Sequence, residues 1–420
     1  MKKITVALIG AGSRGKAYSD IMLQQPDRFQ IVSVAEPLEA RREYIRKAHN
    51  VEPAHCYRSW DELLAAPKIA DVCIIATMDR LHYAPAMEAM KQKYHLLLEK
   101  PIAPTVEECR QLTECAHQNH VKVLVCHVLR YTPFFRYIKY LLESKAIGEI
   151  VSVEHTEAVG NIHHSHSFVR GNWGNAERSS TMLLQKSCHD LDIIQWLLEK
   201  PCRRIQSFGS LKYFHKGNAP KGAPEFCIDG CPVSDTCYYN AVRLYLEDKG
   251  NEWFRSMAAQ KSNPSDAEVE KALKTTQYGK CVFKCDNDVV DHQIVNMEFD
   301  EGITVSFTMC SFNEGGRQIR IMGTDGELNG NMGKSTIEIF SFKTRAIQKI
   351  SLTEEEIDES IVGGHGGGDE GIVAALYDYL NGTLQAKDVS EIETSFQNHL
   401  LAFAAEESRL TSQIIDMKTF

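Results

Sequence analysis

The chain opens with Ile4-Thr5-Val6-Ala7-Leu8-Ile9-Gly10-Ala11-Gly12-Ser13-Arg14-Gly15. An apolar run stops at G-x-G-x-x-G, a helix-compatible segment follows, and a second apolar run, Gln30 to Ala35, ends on Glu36. Each part has a chemical reason. Gly10 permits a tight turn, Gly12 lets the backbone approach a pyrophosphate, and Gly15 lets helix and strand pack closely. The helix that Ser13 and Arg14 open offers N–H groups and a favourable dipole to an anion. Glu36 is placed to accept hydrogen bonds from ribose hydroxyls. A carboxylate there repels a 2′-phosphate, so NAD is expected over NADP. Arg14, Arg41 and Arg42 pull the other way. A glycine-rich turn alone would be a weak signal. Strand, glycines, helix, strand and acid in this order predict a dinucleotide-binding Rossmann domain.

The same rhythm continues outward. Apolar runs at 4–9, 30–35, 71–76, 94–98 and 122–127 alternate with helix-compatible stretches at 14–25, 38–49, 60–66, 80–92 and 105–119. This β-α alternation predicts a parallel, doubly wound sheet over residues 1–130. Ligands bind such sheets beyond the carboxyl ends of the strands. The residues just after each run therefore become candidates: Thr77 to His82, Glu99 to Pro101, and His127 to Arg130.

From residue 131 the texture changes. A helical segment (134–146) precedes alternating runs at 149–158, 203–214, 290–300, 302–313, 317–323 and 336–341. Turn signals such as Asp300-Glu301-Gly302 separate several of them. Residues 131–420 are expected to form an α+β domain with a large, mostly antiparallel open sheet. Helices are expected at 181–199, 368–381 and 391–409, with a Cys-rich insertion at about 220–290. Residues 255–275 are polar and read as a surface excursion.

Bulk properties fit a globular enzyme. The chain has 420 residues, long enough for two domains, with 43% apolar and 25% charged residues. A formal charge of −9 argues against nucleic acid or an anionic membrane as partner. The apolar start runs only from Ile4 to Ile9 and ends in the nucleotide turn, so it reads as a strand and not as a signal peptide. Thirteen Cys, an odd number, many of them inside apolar segments, predict reduced thiols and a cytoplasmic protein.

Two constellations could carry chemistry. Lys100, in Glu99-Lys100-Pro101 just after the run at 94–98, falls at the nicotinamide end of a bound cofactor. It suits holding a substrate hydroxyl and stabilising a developing alkoxide. The bland alternative is a surface lysine closed by a turn proline. The second constellation is Gln185-Lys186-Ser187-Cys188-His189-Asp190-Leu191-Asp192. On a helix Gln185, His189 and Asp192 share a face, and Lys186 lies next to His189. His189 would accept a proton near neutral pH, with Lys186 beside it. The alternative is an amphipathic helix with a satisfied histidine.

The glycine motif, Glu99-Lys100-Pro101, Arg130-Tyr131-Thr132-Pro133 and the His189 helix together resemble the Gfo/Idh/MocA oxidoreductases over nearly the whole chain. The resemblance implies a Rossmann domain plus an α/β domain whose open sheet often forms an oligomer interface. It implies hydride transfer between NAD or NADP and a secondary carbinol of a sugar, cyclitol or related compound. The family's lysine falls on Lys100 and its histidine on His189. An aspartate common four residues before that histidine is replaced by Gln185, and Lys186 is added. Gly10, Gly12, Ser13, Arg14, Gly15, Glu36, Thr77, His82, Glu99, Lys100 and Arg130 are expected at the cofactor.

His163-His164-Ser165-His166 through Arg170 and Trp173, with the Cys segments, resembles longer members of that family. His166, Arg170 and Trp173 read as a polar, aromatic loop suited to a sugar; His365 and Asp369, in a glycine-rich turn before a helix, could join them, with a helix cap as the alternative for Asp369. Oxidation at C3 of a glycoside, or reduction of the 3-keto sugar, is the specific expectation. A redox-neutral enzyme that cleaves glycosides while retaining its NAD is the alternative, and a non-catalytic nucleotide sensor is a third class. Sugar or glycoside is the expected partner, in a homodimer or homotetramer. Cys227, Cys231, Cys237, Cys281 and Cys285 include enough thiols for a structural zinc. Their spacing is looser than C-x2-C, buried free thiols are the alternative, and no metal ligands are assigned.

Overall fold

The computed structural model describes residues 2–352 and 366–420. The elements run β1 (Ile4–Ile9), α1 (Ser13–Leu23), β2 (Phe29–Ala35), α2 (Glu39–His49), β3 (Cys56–Tyr57), α3 (Trp60–Ala65), β4 (Val72–Ile75), α4 (Tyr83–Lys91), β5 (His95–Leu98), α5 (Val106–Asn119), β6 (Val123–Val125) and α6 (Pro133–Glu143). Then come β7 (Ile150–Ala158), α7 (Asn161–His164), α8 (Met182–Leu198), β8 (Cys202–Ser210), α9 (Glu252–Ala259), α10 (Asp266–Thr275) and β9 (His292–Phe299). β10 (Thr304–Cys310), β11 (Gly316–Gly323), β12 (Gly326–Asn331), β13 (Thr336–Ser341), β14 (Ile347–Ser351), α11 (Gly368–Leu380), α12 (Ile392–Thr411) and β15 (Ile415–Asp416) complete the chain. Among the described residues no helix is long and apolar enough to cross a membrane.

Two compact units emerge, and neither is one continuous segment. The first gathers Met1–Gly148, Cys188–Pro201 and Ile350–Phe403; the second gathers Glu149–Ser187, Cys202–Lys349 and Ala404–Phe420. Helices α8 and α12 each contribute to both units.

In the first unit six parallel strands lie in the order β3-β2-β1-β4-β5-β6. Alternate residues of each strand enter opposite faces, as the pleat requires. Val6, Leu8, Ile31 and Ile74 pack with Tyr18 and Met22 of α1 and with Ile372, Val373 and Leu376 of α11. Ala7, Ile9, Cys73 and Ile75 pack with Met90 of α4, Leu112 of α5, and Ile392 and Phe396 of α12. Strands covered on both faces read as continuous apolar runs, which is why β1 and β4 are legible in the sequence.

In the second unit nine strands lie in the order β14-β13-β12-β11-β7-β10-β9-β8-β15. Only the β7–β10 pair among the registered neighbours is parallel. Strands β9 to β11 alternate buried and exposed residues, the pattern of a sheet with one face covered. On the open face Phe208 of β8 lies across from Ile294 of β9, and both are exposed. The segment read as a surface excursion is instead two helices, α9 and α10. Phe254, Ala258, Val269 and Leu273 bury themselves with Leu244 and Tyr245 in a small core.

Candidate active site

At the carboxyl edge of the first sheet, β1 ends in Gly10 with φ +88, a left-handed conformation suited to glycine. A Cβ on Gly15 would lie 1.9 Å from the Gly10 carbonyl oxygen, so α1 and the turn touch backbone to backbone. A Cβ on Gly12 would meet only Arg41 Nη1, at 3.6 Å. That open space, at a helix whose N-cap Gly12 supplies no side chain, fits a pyrophosphate over the N–H groups of Ser13 and its neighbours. Glu36 is buried, and its carboxylate accepts from the Ala11 N–H at 2.8 Å and the Leu38 N–H at 3.0 Å. These residues fit a dinucleotide.

The other residues expected at the cofactor lie around this edge in different roles. Arg14 does not extend freely toward a phosphate. It donates to Glu99 at 2.8 Å, to Tyr18 at 2.6 Å and to both oxygens of Asp369 at 2.5 and 3.0 Å. Burial alone would raise the Glu99 carboxyl, but Arg14, Lys100 and the Tyr18 hydroxyl hold it below the usual carboxylate range. The His82 ring is buried between the Pro101 carbonyl (2.7 Å) and the Thr77 carbonyl (3.1 Å), tying the turns after β4 and β5 together. Thr77 Oγ1 donates to the Leu81 carbonyl. Arg130 is buried too, and its fork grips Asp192 at 2.6 and 2.7 Å.

Lys100 is half-buried at the end of β5, and its main-chain N–H donates to Glu99. His189 is 4% exposed and meets His127 edge to face, with ring centroids 5.9 Å apart. His127 lies just past the end of β6, after Cys126, and its other neighbour is His399 of α12, at 5.5 Å. Burial, then the charges of Arg130 and Lys100, push His127 well below the ordinary histidine value. Burial and His127 push His399 down to about 3. The His399 Nδ1 lies 2.7 Å from the Ser395 carbonyl, and Nε2 accepts from the Ile102 N–H. A neutral imidazole, His127, therefore faces His189, and a second, His399, stands behind His127. Asp192, expected to share a face with His189, is held by Arg130 and by Asn398, which donates at 2.5 Å. Burial raises its carboxyl and Arg130 opposes that rise.

Sequence reading did not single out His399 or Asn398. Nothing local marks them, because they meet their partners only through the fold. His127 did carry a signal, its place just after a strand.

In the second unit Lys186 Nζ lies 3.4 Å from Glu157, whose other oxygen pairs with Arg317 Nη2 at 2.5 Å. The segment expected as a loop forms helical turns instead: α7, then a wide turn at 165–170. His166 is buried, with Nδ1 2.8 Å from the Tyr245 hydroxyl and its ring stacked on Phe254. His164 bonds the Ser311 hydroxyl. Burial pushes both histidines down to about 3. Arg170 is 1% exposed and donates to the carbonyls of Lys280 and Tyr239. Trp173 is half-buried beside Phe168. His166 Nδ1 and the Nε and Nη2 of Arg170 are thus engaged inside this unit, while Arg170 Nη1 is buried with no hydrogen-bond partner. His365 lies outside the described residues. Among the described residues no three His, Cys, Asp or Glu side chains stand as a ready-made metal site.

Residues 4–127 match an oxidoreductase-family NAD-binding Rossmann fold, and residues 139–408 match the same family's C-terminal alpha/beta domain. The chain is 26% identical to the oxidoreductase YteT of Bacillus subtilis (strain 168), over 76% of this chain and 74% of that protein. It is 28% identical to 2,7-anhydro-N-acetylneuraminate hydratase of Escherichia coli (strain K12), over 39% of this chain and 41% of that one. A structure of levoglucosan dehydrogenase with NADH and levoglucosan superposes with a TM-score of 0.71 at 17% identity, covering 99% of each chain, which shows a shared fold. With residues 4–127 and 139–408 matched by its two domain models, the chain belongs to the Gfo/Idh/MocA family of NAD-binding oxidoreductases.

Proposed function

We propose that the protein uses NAD to transfer hydride at a secondary carbinol of a sugar, glycoside or cyclitol. The specific form proposed is oxidation at C3 of a glycoside or reduction of the 3-keto sugar. One observation carries the reading. The glycine turn, Glu36, Lys100 and His127 all follow strands of one parallel sheet, and the His189 ring packs on His127.

Bound at this edge, the nicotinamide would supply the hydride acceptor or donor. His189 takes the hydroxyl proton during oxidation and returns it during reduction. The Lys100 ammonium holds the reacting oxygen and stabilises its developing charge. His127 and His399, kept neutral by burial, add no positive charge beside His189. Lys186 is proposed as a neighbour that biases His189 toward the neutral state, weakened by its pairing with Glu157. Glu36 favours NAD over NADP. A homo-oligomer built through the open face of the nine-stranded sheet is part of the same reading.

The test begins with the dinucleotide released when purified protein is denatured. A screen of sugars, glycosides and cyclitols then follows reduced-nicotinamide absorbance. NAD release, or turnover with added NAD, is expected. No binding of either dinucleotide removes the proposal. The second reading, a redox-neutral enzyme that recycles its NAD, is favoured by the relative named as a hydratase. It would give product without net reduced nicotinamide.

A further inference from the structure

The second unit holds a cluster that hydride transfer does not use. Cys227, Cys231 and Cys237 are spaced C-x3-C-x5-C, and Cys281 comes later. An antiparallel bridge between Phe226 and Lys280 draws the two segments together, and the Cys281 N–H donates to the Glu225 carbonyl at 2.9 Å. All four cysteines are free, and all four line one void of about 10 Å³. That is room for about one small sphere, at the lower limit for a water molecule. Cys285 does not line the void; its thiol turns back to the Cys281 carbonyl.

The void has a charged neighbour. The Arg170 guanidinium is fully buried, and Nη2 lies 3.7 Å from the Cys227 sulfur. Its remaining hydrogen bonds go to two carbonyls, and Nη1 has no partner. A buried cation without a counter-charge is costly, and protonated thiols supply none.

We infer that Cys227, Cys231, Cys237 and Cys281 bind one thiophilic divalent cation, zinc by chemistry, in a tetrahedral all-thiolate site with Arg170 as its buried counter-charge. Each thiol gives up a proton to solvent, so one dication and four thiols yield a site of net charge −2 and four protons. In their present rotamers no three sulfurs form a closed shell. A change of χ1 re-aims a cysteine sulfur without moving its backbone, and zinc–sulfur bonds need about 2.3 Å. The site fastens the two ends of the segment that carries α9 and α10, so its role is structural.

The test reads metal directly, in full-length protein purified without chelator and dialysed. Elemental analysis is expected to find one zinc per chain. Growth in cobalt medium should give the intense ligand-to-metal and visible bands of tetrahedral cobalt thiolate. Cys227→Ser with Cys281→Ser should lose the metal, whereas Cys285→Ser should keep it. Zinc well below one per chain, with all four thiols reacting in the native protein, overturns the inference. Zinc retained in the double variant also overturns it. The wild-type measurements need no variant to fold.

Discussion

Histidines and arginines occur in both units, yet they do different work. In the first unit Glu36, Lys100 and His127 stand where strands of a parallel sheet stop, and the chain places them at one edge. In the second, His164, His166 and Arg170 lie on consecutive helical turns, and each spends hydrogen bonds on groups of its own unit. Residue type alone did not separate the two cases. Position relative to a strand end did, because that edge is where backbone groups and side chains face a ligand.

The comparison can be broken, beginning with acid. His164 and His166 in one unit and His399 in the other have folded values of about 3. All lie below the unfolded histidine value near 6.5. Stability from these neutral rings is full above about pH 6.5 and is lost as pH falls toward 3, since the unfolded chain binds the protons first. Each ring contributes about 1.4 kcal/mol per pH unit in that window. Thermal melts at pH 7 and pH 5 should differ by several kcal/mol. An unchanged melting temperature would show that the rings are not held neutral.

Arg130→Leu comes next. It leaves the buried Asp192 carboxylate without its bidentate partner and should cost about 3–5 kcal/mol in denaturant unfolding. A stable variant with weakened dinucleotide binding would move Arg130 from the frame to the cofactor.

Lys100→Met should keep cofactor binding while lowering turnover at least a hundredfold, since an oxyanion-stabilising group is worth about 3–4 kcal/mol. Near-normal turnover with any substrate found would remove Lys100 from the mechanism.

Cofactor choice should show a smaller effect. NAD is expected to bind at least about tenfold more tightly than NADP, and Glu36→Ala should narrow that margin. Equilibrium titration decides, and a tenfold preference for NADPH would reverse the assignment.

Lys186→Met should give the smallest change. Removing a cation raises a histidine's pKa, so the acidic limb of the oxidation profile should move to higher pH. Glu157 already faces Lys186, so the expected shift is under about one unit. No shift, or one to lower pH, would confine Lys186 to the Glu157–Arg317 group.

Much of this was legible in the residues. The apolar runs of β1, β2 and β4 and the Glu36 spacing follow from burial on two faces and from nucleotide chemistry. Strand β12, Gly326 to Asn331, escaped notice because its composition is polar and its pairing comes from neighbours. Strand β14 is mostly exposed and carries no alternation. Helices α9 and α10 did carry apolar pairs at i and i+4, Phe254 with Ala258 and Val269 with Leu273, but surrounding charge masked them. The glycine motif and the family resemblance place Arg14 and Arg130 among the residues expected at the cofactor. Buried carboxylates from distant segments claimed both, and spacing could not announce those partners.

The grip of Asp369 on Arg14 bears on how the protein is made. The nucleotide turn leaves the ribosome 355 residues ahead of the residue that clamps its arginine. The same delay affects the sheet beneath it, whose two faces wait for Ile372 and Val373 on one side and Ile392 and Phe396 on the other. A nascent chain ending near residue 148 would therefore present uncovered apolar strands rather than a finished module. For this chain, exchanging nucleotide domains with a relative means exchanging three separate stretches of gene, with the final helices among them.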